Sequence, residues 1–185
     1  MKNLKLFLLA IVVSLAGVSC SSNDDDNNNG NGNGGTSANS MNLDGVEFDI
    51  ATAVLVEFGE NEDGSYDWDI GLLGEGVTVN NQDLDPELDG SGAYLILDLN
   101  TNNPDGLRAG TYTFSPNYER EEFTWVSVEA CQNSEGGDCQ NGLSLGQGGI
   151  VVISGSGSNT TIEVIVTDTD GDNISANYTG GFIFY

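Results

Sequence analysis

Apolar and polar residues alternate with a period of two, five Asp-Gly pairs punctuate the chain, and no stretch of about ten residues has helical amphipathicity. Together these predict an all-β fold between Met41 and Tyr185. Val46, Phe48 and Ile50 alternate with Glu47 and Asp49. Tyr66, Trp68, Ile70 and Leu72 alternate with Asp67, Asp69 and Gly71, and Tyr112 and Phe114 alternate with threonines. Ile162, Val164 and Val166 alternate with Glu163, Ile165 and Thr167. Ile174, Ala176, Tyr178, Gly180, Phe182 and Phe184 read as one long last strand. Ala53–Phe58, Tyr94–Leu99 and Ile150–Ile153 are apolar at odd and even positions alike, which is the pattern of strands covered on both faces.

The breaks between these runs agree with them. Asp44-Gly45, Asp63-Gly64, Asp89-Gly90, Asp105-Gly106 and Asp170-Gly171 suit hairpin turns that need positive φ. Pro86, Pro104 and Pro116 all fall between expected strands, where a missing N–H breaks no ladder. The sum is roughly nine antiparallel strands joined mainly by hairpins. A two-sheet antiparallel β-sandwich and a flattened up-and-down barrel fit the pattern equally well.

Charge narrows the function. The chain has 29 acidic residues against 4 basic ones and no histidine. Two of the bases, Lys2 and Lys5, lie in an N-terminal segment that reads as a secretory signal over residues 1–19: a basic start, the apolar run Leu6–Val13, then small residues up to Cys20. The apolar run is too short for a bilayer core of roughly 30 Å. Removal of the signal leaves Arg108 and Arg120 as the only cations against all 29 carboxylates. Such a surface repels phosphate backbones and anionic lipid, which argues against a nucleic-acid partner. Without histidine or a mature lysine there is no Ser-His-Asp triad, no Cys-His pair, no Schiff-base lysine and no imidazole zinc site.

Leu15-Ala16-Gly17-Val18-Ser19-Cys20 resembles a bacterial lipobox, which implies that Cys20 carries the lipid anchor; an ordinary cleaved signal that leaves Cys20 a free thiol is the alternative. Residues 20–40 follow as an acylated cysteine and an Asn/Asp/Gly/Ser tether with too little apolar surface to fold. A tether of 20 residues spans roughly 25 Å on average. Ser21-Ser22-Asn23-Asp24-Asp25-Asp26 resembles the acidic surface-export signal of Bacteroidota lipoproteins, which implies the outer face of the outer membrane. The single β-domain then runs over residues 41–185. With Cys20 acylated, Cys131 and Cys139 form an even pair in an oxidising compartment, and a disulfide closing so small a loop contributes about 2.5 kcal/mol. Two thiols without a third soft ligand make a poor metal site.

Leu43-Asp-Gly-Val-Glu-Phe, Gly64-Ser-Tyr-Asp-Trp-Asp-Ile, Gly110-Thr-Tyr-Thr-Phe and the run from Thr161 through Gly181 resemble a domain recurrent in small, mostly uncharacterised Bacteroidota (flavobacterial-type) surface lipoproteins. Each is a strand-and-turn pattern, so the resemblance implies fold and location and carries no catalytic or binding residue.

Three candidate sites stand out. Asp168-Thr169-Asp170-Gly171-Asp172-Asn173 alternates carboxylates on a tight turn, as a hard cation such as calcium requires, although the glycine and the twelfth position, Thr179, depart from an EF-hand loop. The other reading is a plain Asp-Gly hairpin turn. Asp83, Asp85, Glu87 and Asp89 form a second acidic loop, either a loose cation site or simply solvated. Tyr118, beside Pro116 and Arg120, is an exposed ring that suits a ligand, whereas Trp68, Tyr112 and Trp125 are in phase with the core. Carboxylates are too many for one glycosidase pair to stand out, and short connections leave little room for a deep cleft. The expectation is therefore a non-catalytic, lipid-anchored surface domain that binds a glycan or a partner, with no cofactor beyond possible calcium. The alternatives are a structural envelope component and a barrel carrying a small apolar molecule.

Overall fold

The computed structural model describes residues 39–80, 86–143 and 146–185. The signal segment, Cys20, the tether up to residue 38, and Asp83 and Asp85 lie outside the described residues. Among the described residues regular structure is all strand apart from a 3-10 turn at Gly157–Asn159. In chain order the strands are β1 (Ser40–Leu43), β2 (Val46–Asp49), β3 (Thr52–Glu60), β4 (Tyr66–Leu73), β5 (Val77–Asn80), β6 (Glu87–Thr101) and β7 (Gly110–Phe114). They continue as β8 (Thr124–Glu135), β9 (Asp138–Leu143), β10 (Gly146–Ser154), β11 (Thr160–Asp168), β12 (Asn173–Gly180) and β13 (Ile183–Phe184).

These strands form one sheet in the order β13-β3-β4-β6-β8-β7-β10-β11-β12-β1-β2, with β5 added to β6 and β9 to β8, and the sheet curls into a half-barrel. The all-β expectation holds. The sheet is mixed, however, because β13–β3 and β7–β8 pair parallel, and it is not a clean nine-stranded antiparallel sandwich. The extra strands have simple origins: β1 and β5 have four residues each, too short for a period of two to register, and β13 is the two-residue end of the expected last strand, cut off from it. The parallel pairs arise from how the chain returns, which no local periodicity encodes.

Local chemistry set most boundaries. Asp44 and Gly45 both take left-handed φ, 50° and 80°, and close the β1–β2 hairpin as expected. Asp63-Gly64, Asp105-Gly106 and Asp170-Gly171 also lie at connections, but Asp89-Gly90 sits inside β6. There Gly90 permits a close crossing, since a Cβ would fall 2.1 Å from the Gly76 carbonyl oxygen. The expected long last strand is broken: β12 stops at Gly180, the Tyr178 hydroxyl donates to the Gly181 carbonyl (2.7 Å), and residues 181–182 carry the chain over to β3. A second short crossing joins β2 to β3, with the Ile50 N–H bonded to Asn39 O (2.8 Å) and the Ala51 N–H to Leu73 O (2.9 Å). Two crossings thus tie the far ends of the strand order together.

The concave side holds the main core, with Trp125, Tyr112, Leu43, Leu95, Leu97 and Val128 fully buried. Trp68 and Trp125 are core residues, as their phase predicts. On the opposite face Val54, Leu73, Val77, Tyr94 and Cys131 form a second, smaller cluster, which explains why β3 and β6 read as apolar on both faces. β3 nevertheless lies one place from the end of the order, and Phe58 at its far end is 57% exposed. Cys131 and Cys139 are joined as a disulfide between β8 and β9, with Cα atoms 5.8 Å apart. They sit in paired strands rather than in a loop, with Gly136-Gly137 making the turn.

Candidate functional site

Three regions of the domain gather functional side chains. The first follows from strand register. In the antiparallel β4–β6 pair Asp69 lies opposite Asp98 and Asp67 opposite Asn100. Alternation sends Trp68 and Ile70 into the core and Asp67, Asp69 and Asp98 to the other face. One oxygen from each carboxylate lies within 4.8 Å of the others, the single such trio of metal-type side chains among the described residues. The connection between β7 and β8 folds back over this face and places Arg120 on it. The guanidinium bridges Asp98 through both oxygens (3.0 and 2.9 Å) and pairs with Asp67. The same connection is fastened by Ser65, whose hydroxyl donates to the Arg120 carbonyl. Fully buried Asn100 accepts a hydrogen bond from the Asn61 side chain (3.2 Å), while Asp67 Oδ1 is buried and accepts none.

The electrostatics follow from one cation facing three carboxylates in a half-buried place. Burial, and then the neighbouring charges of Asp98 and Asp67, push the Asp69 carboxyl up to about 7. Burial and Asp67 also raise Asp98, against the lowering influence of Arg120. Asp69 and Asp98 thus bind a proton more readily than ordinary carboxylates, and the three aspartates' oxygens are close enough to face one divalent cation. Sequence reading missed it, because Asp69 and Asp98 are far apart along the chain and Arg120 comes from a third segment. Alternation around Trp68 was the one available sign that Asp67 and Asp69 share a face.

The second region is the β11–β12 turn. Asp168 is only 4% exposed, and its Oδ1 accepts the backbone N–H groups of Asp170 (2.9 Å) and Asp172 (2.8 Å). The aspartate organises its own turn, as the hairpin reading requires. Asp170 stays exposed, and Asp168, Asp170 and Asp172 do not converge as the Asp67 trio does. Partial desolvation, then Asp44 on the adjacent β1–β2 turn, raises the Asp172 carboxyl above the usual range. Of the second acidic loop, Glu87 and Asp89 lie in β6 paired with β5, not in a loop. Tyr118 is 65% exposed and has φ 56°, in an open groove of about 550 Å³ shared with Asn61, Glu62, Asp63 and Glu119 to Glu121.

The third region is a cleft of about 440 Å³ at one end of the curl. Leu55 of β3, Ile153 of β10, Leu107, Phe182 and Phe184 form its apolar walls. Asp105 and the segment Gly155–Ser158 make the polar rim. Phe182 and Phe184 are expected to fill a continuous strand, but the break after Gly180 delivers them here. The chain matches no protein-family model, no curated protein and no solved structure.

Proposed function

We propose that the chain is a lipid-anchored outer-membrane protein, held through Cys20 at the cell surface, whose β-domain binds a glycan or a surface partner without transforming it. The observation that carries binding is the cleft at the end of the curl, a concave site with aromatic and aliphatic walls and a hydroxyl-bearing rim. Its volume of about 440 Å³ falls in the range of small-molecule sites, roughly 300–1,000 Å³. The lipobox-like segment and the tether support display away from the membrane. Leu55, Leu107 and Ile153 in the same cleft favour a second reading, a carrier of a small apolar molecule.

The anchor is tested by feeding cells a labelled fatty acid: the chain takes up label and Cys20→Ala abolishes it, whereas undiminished label in that variant refutes the anchor. Binding is tested on a glycan array with the full chain in detergent, with millimolar calcium and again with chelator. Loss of binding under chelation makes binding calcium-dependent, and Asp69→Asn and Asp170→Asn variants then tell the Asp67–Asp69–Asp98 trio from the Asp168 turn as its source. Silence in both conditions, together with no apolar ligand bound, leaves a structural envelope component.

A further inference from the structure

We infer that the cleft at the end of the curl takes a neutral sugar ring, its apolar face laid on Phe184 and its hydroxyls directed to the rim at Asp105 and Gly155–Ser158. This rests on the reading of the domain as a ligand binder and names the chemistry of that ligand. Phe184 is 63% exposed, and its ring meets Phe182 edge-on, with centroids 6.5 Å apart and planes at 73°. An exposed aromatic ring braced by a second one inside a concavity offers a flat apolar platform. The same cleft is lined by Ser156 and Ser158, whose hydroxyls flank Gly157; the Gly157 carbonyl is taken by Thr160, but its φ of 59° and the open space where a Cβ would be leave room for a ligand beside those hydroxyls.

The charges decide which amphipathic ligand fits. Among the described residues Asp105 is the only charged one lining the cleft, so an anion meets no counter-charge from them there. Neither arginine of the domain is free to supply one. Arg108 pairs with Glu122 and lies 5.6 Å from the centre of the Phe123 ring, and Arg120 is held by Asp67 and Asp98. Fatty acids, sialylated glycans and sulfated glycans are therefore disfavoured. A wholly apolar ligand would desolvate the serine hydroxyls and peptide groups of the rim with nothing to replace water. A neutral sugar satisfies both walls, since its ring has a C–H face and an edge of hydroxyls that donate to the Asp105 carboxylate and exchange hydrogen bonds with the serine hydroxyls.

The test uses the full chain in detergent on an array of neutral, sialylated and sulfated oligosaccharides, followed by titration with the strongest neutral binder and, separately, with a fluorescent fatty acid. Neutral oligosaccharides bind, Phe184→Ala weakens them at least about tenfold, and Asp105→Ala weakens them by a smaller factor. Ile165→Ser, on the exposed face of β11, leaves affinity unchanged. Unaltered melting of Phe184→Ala confirms that the loss is not unfolding. Neutral-sugar binding that survives Phe184→Ala, or that falls instead with Tyr118→Ala, overturns the cleft assignment and leaves the binding function standing. Fatty-acid binding without sugar binding overturns the ligand class alone. Silence toward every probe overturns both.

Discussion

Two groups of three aspartates lie at opposite extremes of sequence locality. Asp168, Asp170 and Asp172 are spaced like a cation loop, yet Asp168 turns inward and ties two N–H groups of its own turn, so the three carboxylates never meet. Asp67, Asp69 and Asp98 show no motif, yet register brings them within 4.8 Å, and an arginine from a third segment clamps two of them. A short polar side chain next to a turn satisfies the backbone first, because those donors are adjacent in the chain and cost little entropy to reach. Carboxylates that face one another across a sheet have no such outlet and need a cation or a proton.

The largest expected effect breaks the second group at its cation. Arg120→Met leaves Asp67 and Asp98 half-buried without their counter-charge and destabilises the domain by about 3 kcal/mol, less than for a deeply buried pair because the arginine remains partly exposed. The melting temperature falls by roughly 6–10 °C. Adding Asp98→Asn recovers part of that loss; a double variant no more stable than the single one would refute the clamp. Next in size, Asp168→Ala removes two backbone hydrogen bonds to a charged acceptor and costs about 2 kcal/mol, while Asp168→Asn, which keeps an acceptor, costs less. Equal losses in urea titrations of the two variants would contradict the turn-organising role.

pH sharpens the contrast. With Asp69 raised to about 7 in the folded state, above an unfolded carboxyl near 4, the native protein binds this proton more tightly. The contribution is complete below about pH 4 and is lost as pH rises towards 7. Wild type is therefore more stable at pH 5 than at pH 8 by about 1–2 kcal/mol from this group, and Asp69→Asn flattens the slope. An undiminished slope in that variant would remove Asp69 as its source. The smallest effect concerns calcium at the Asp168 turn. Because Asp168 Oδ1 is already committed to backbone donors and Oδ2 is buried, millimolar calcium shifts melting by less than about 2 °C relative to chelator. A larger shift abolished by combined Asp170→Asn and Asp172→Asn would place calcium on that turn.

Local features were legible from the residues alone. Trp68, Trp125 and Tyr112 are buried where their phase puts them, four of five Asp-Gly pairs lie at connections, and Cys131 pairs with Cys139. The failures are equally specific. Asp89-Gly90 has the composition of a turn, but Gly90 serves a close crossing beside Gly76 inside β6. Phe182 and Phe184 keep the alternation of a strand, but the chain leaves β12 after Gly180 and turns them into the wall of the cleft. Tyr118 is exposed as its loop position implies, though its neighbours are mostly carboxylates.

By itself the sequence determined the strand class, the face each side chain takes and the chemistry of most turns, since alternation and left-handed φ are properties of a few adjacent residues. Tertiary structure decided which strands neighbour one another, which pairs run parallel, where the curl stays open and which carboxylates face one another. Those outcomes depend on register and on crossings between the far ends of the sheet. Their free energy belongs to the whole set of pairings, and no local window contains it.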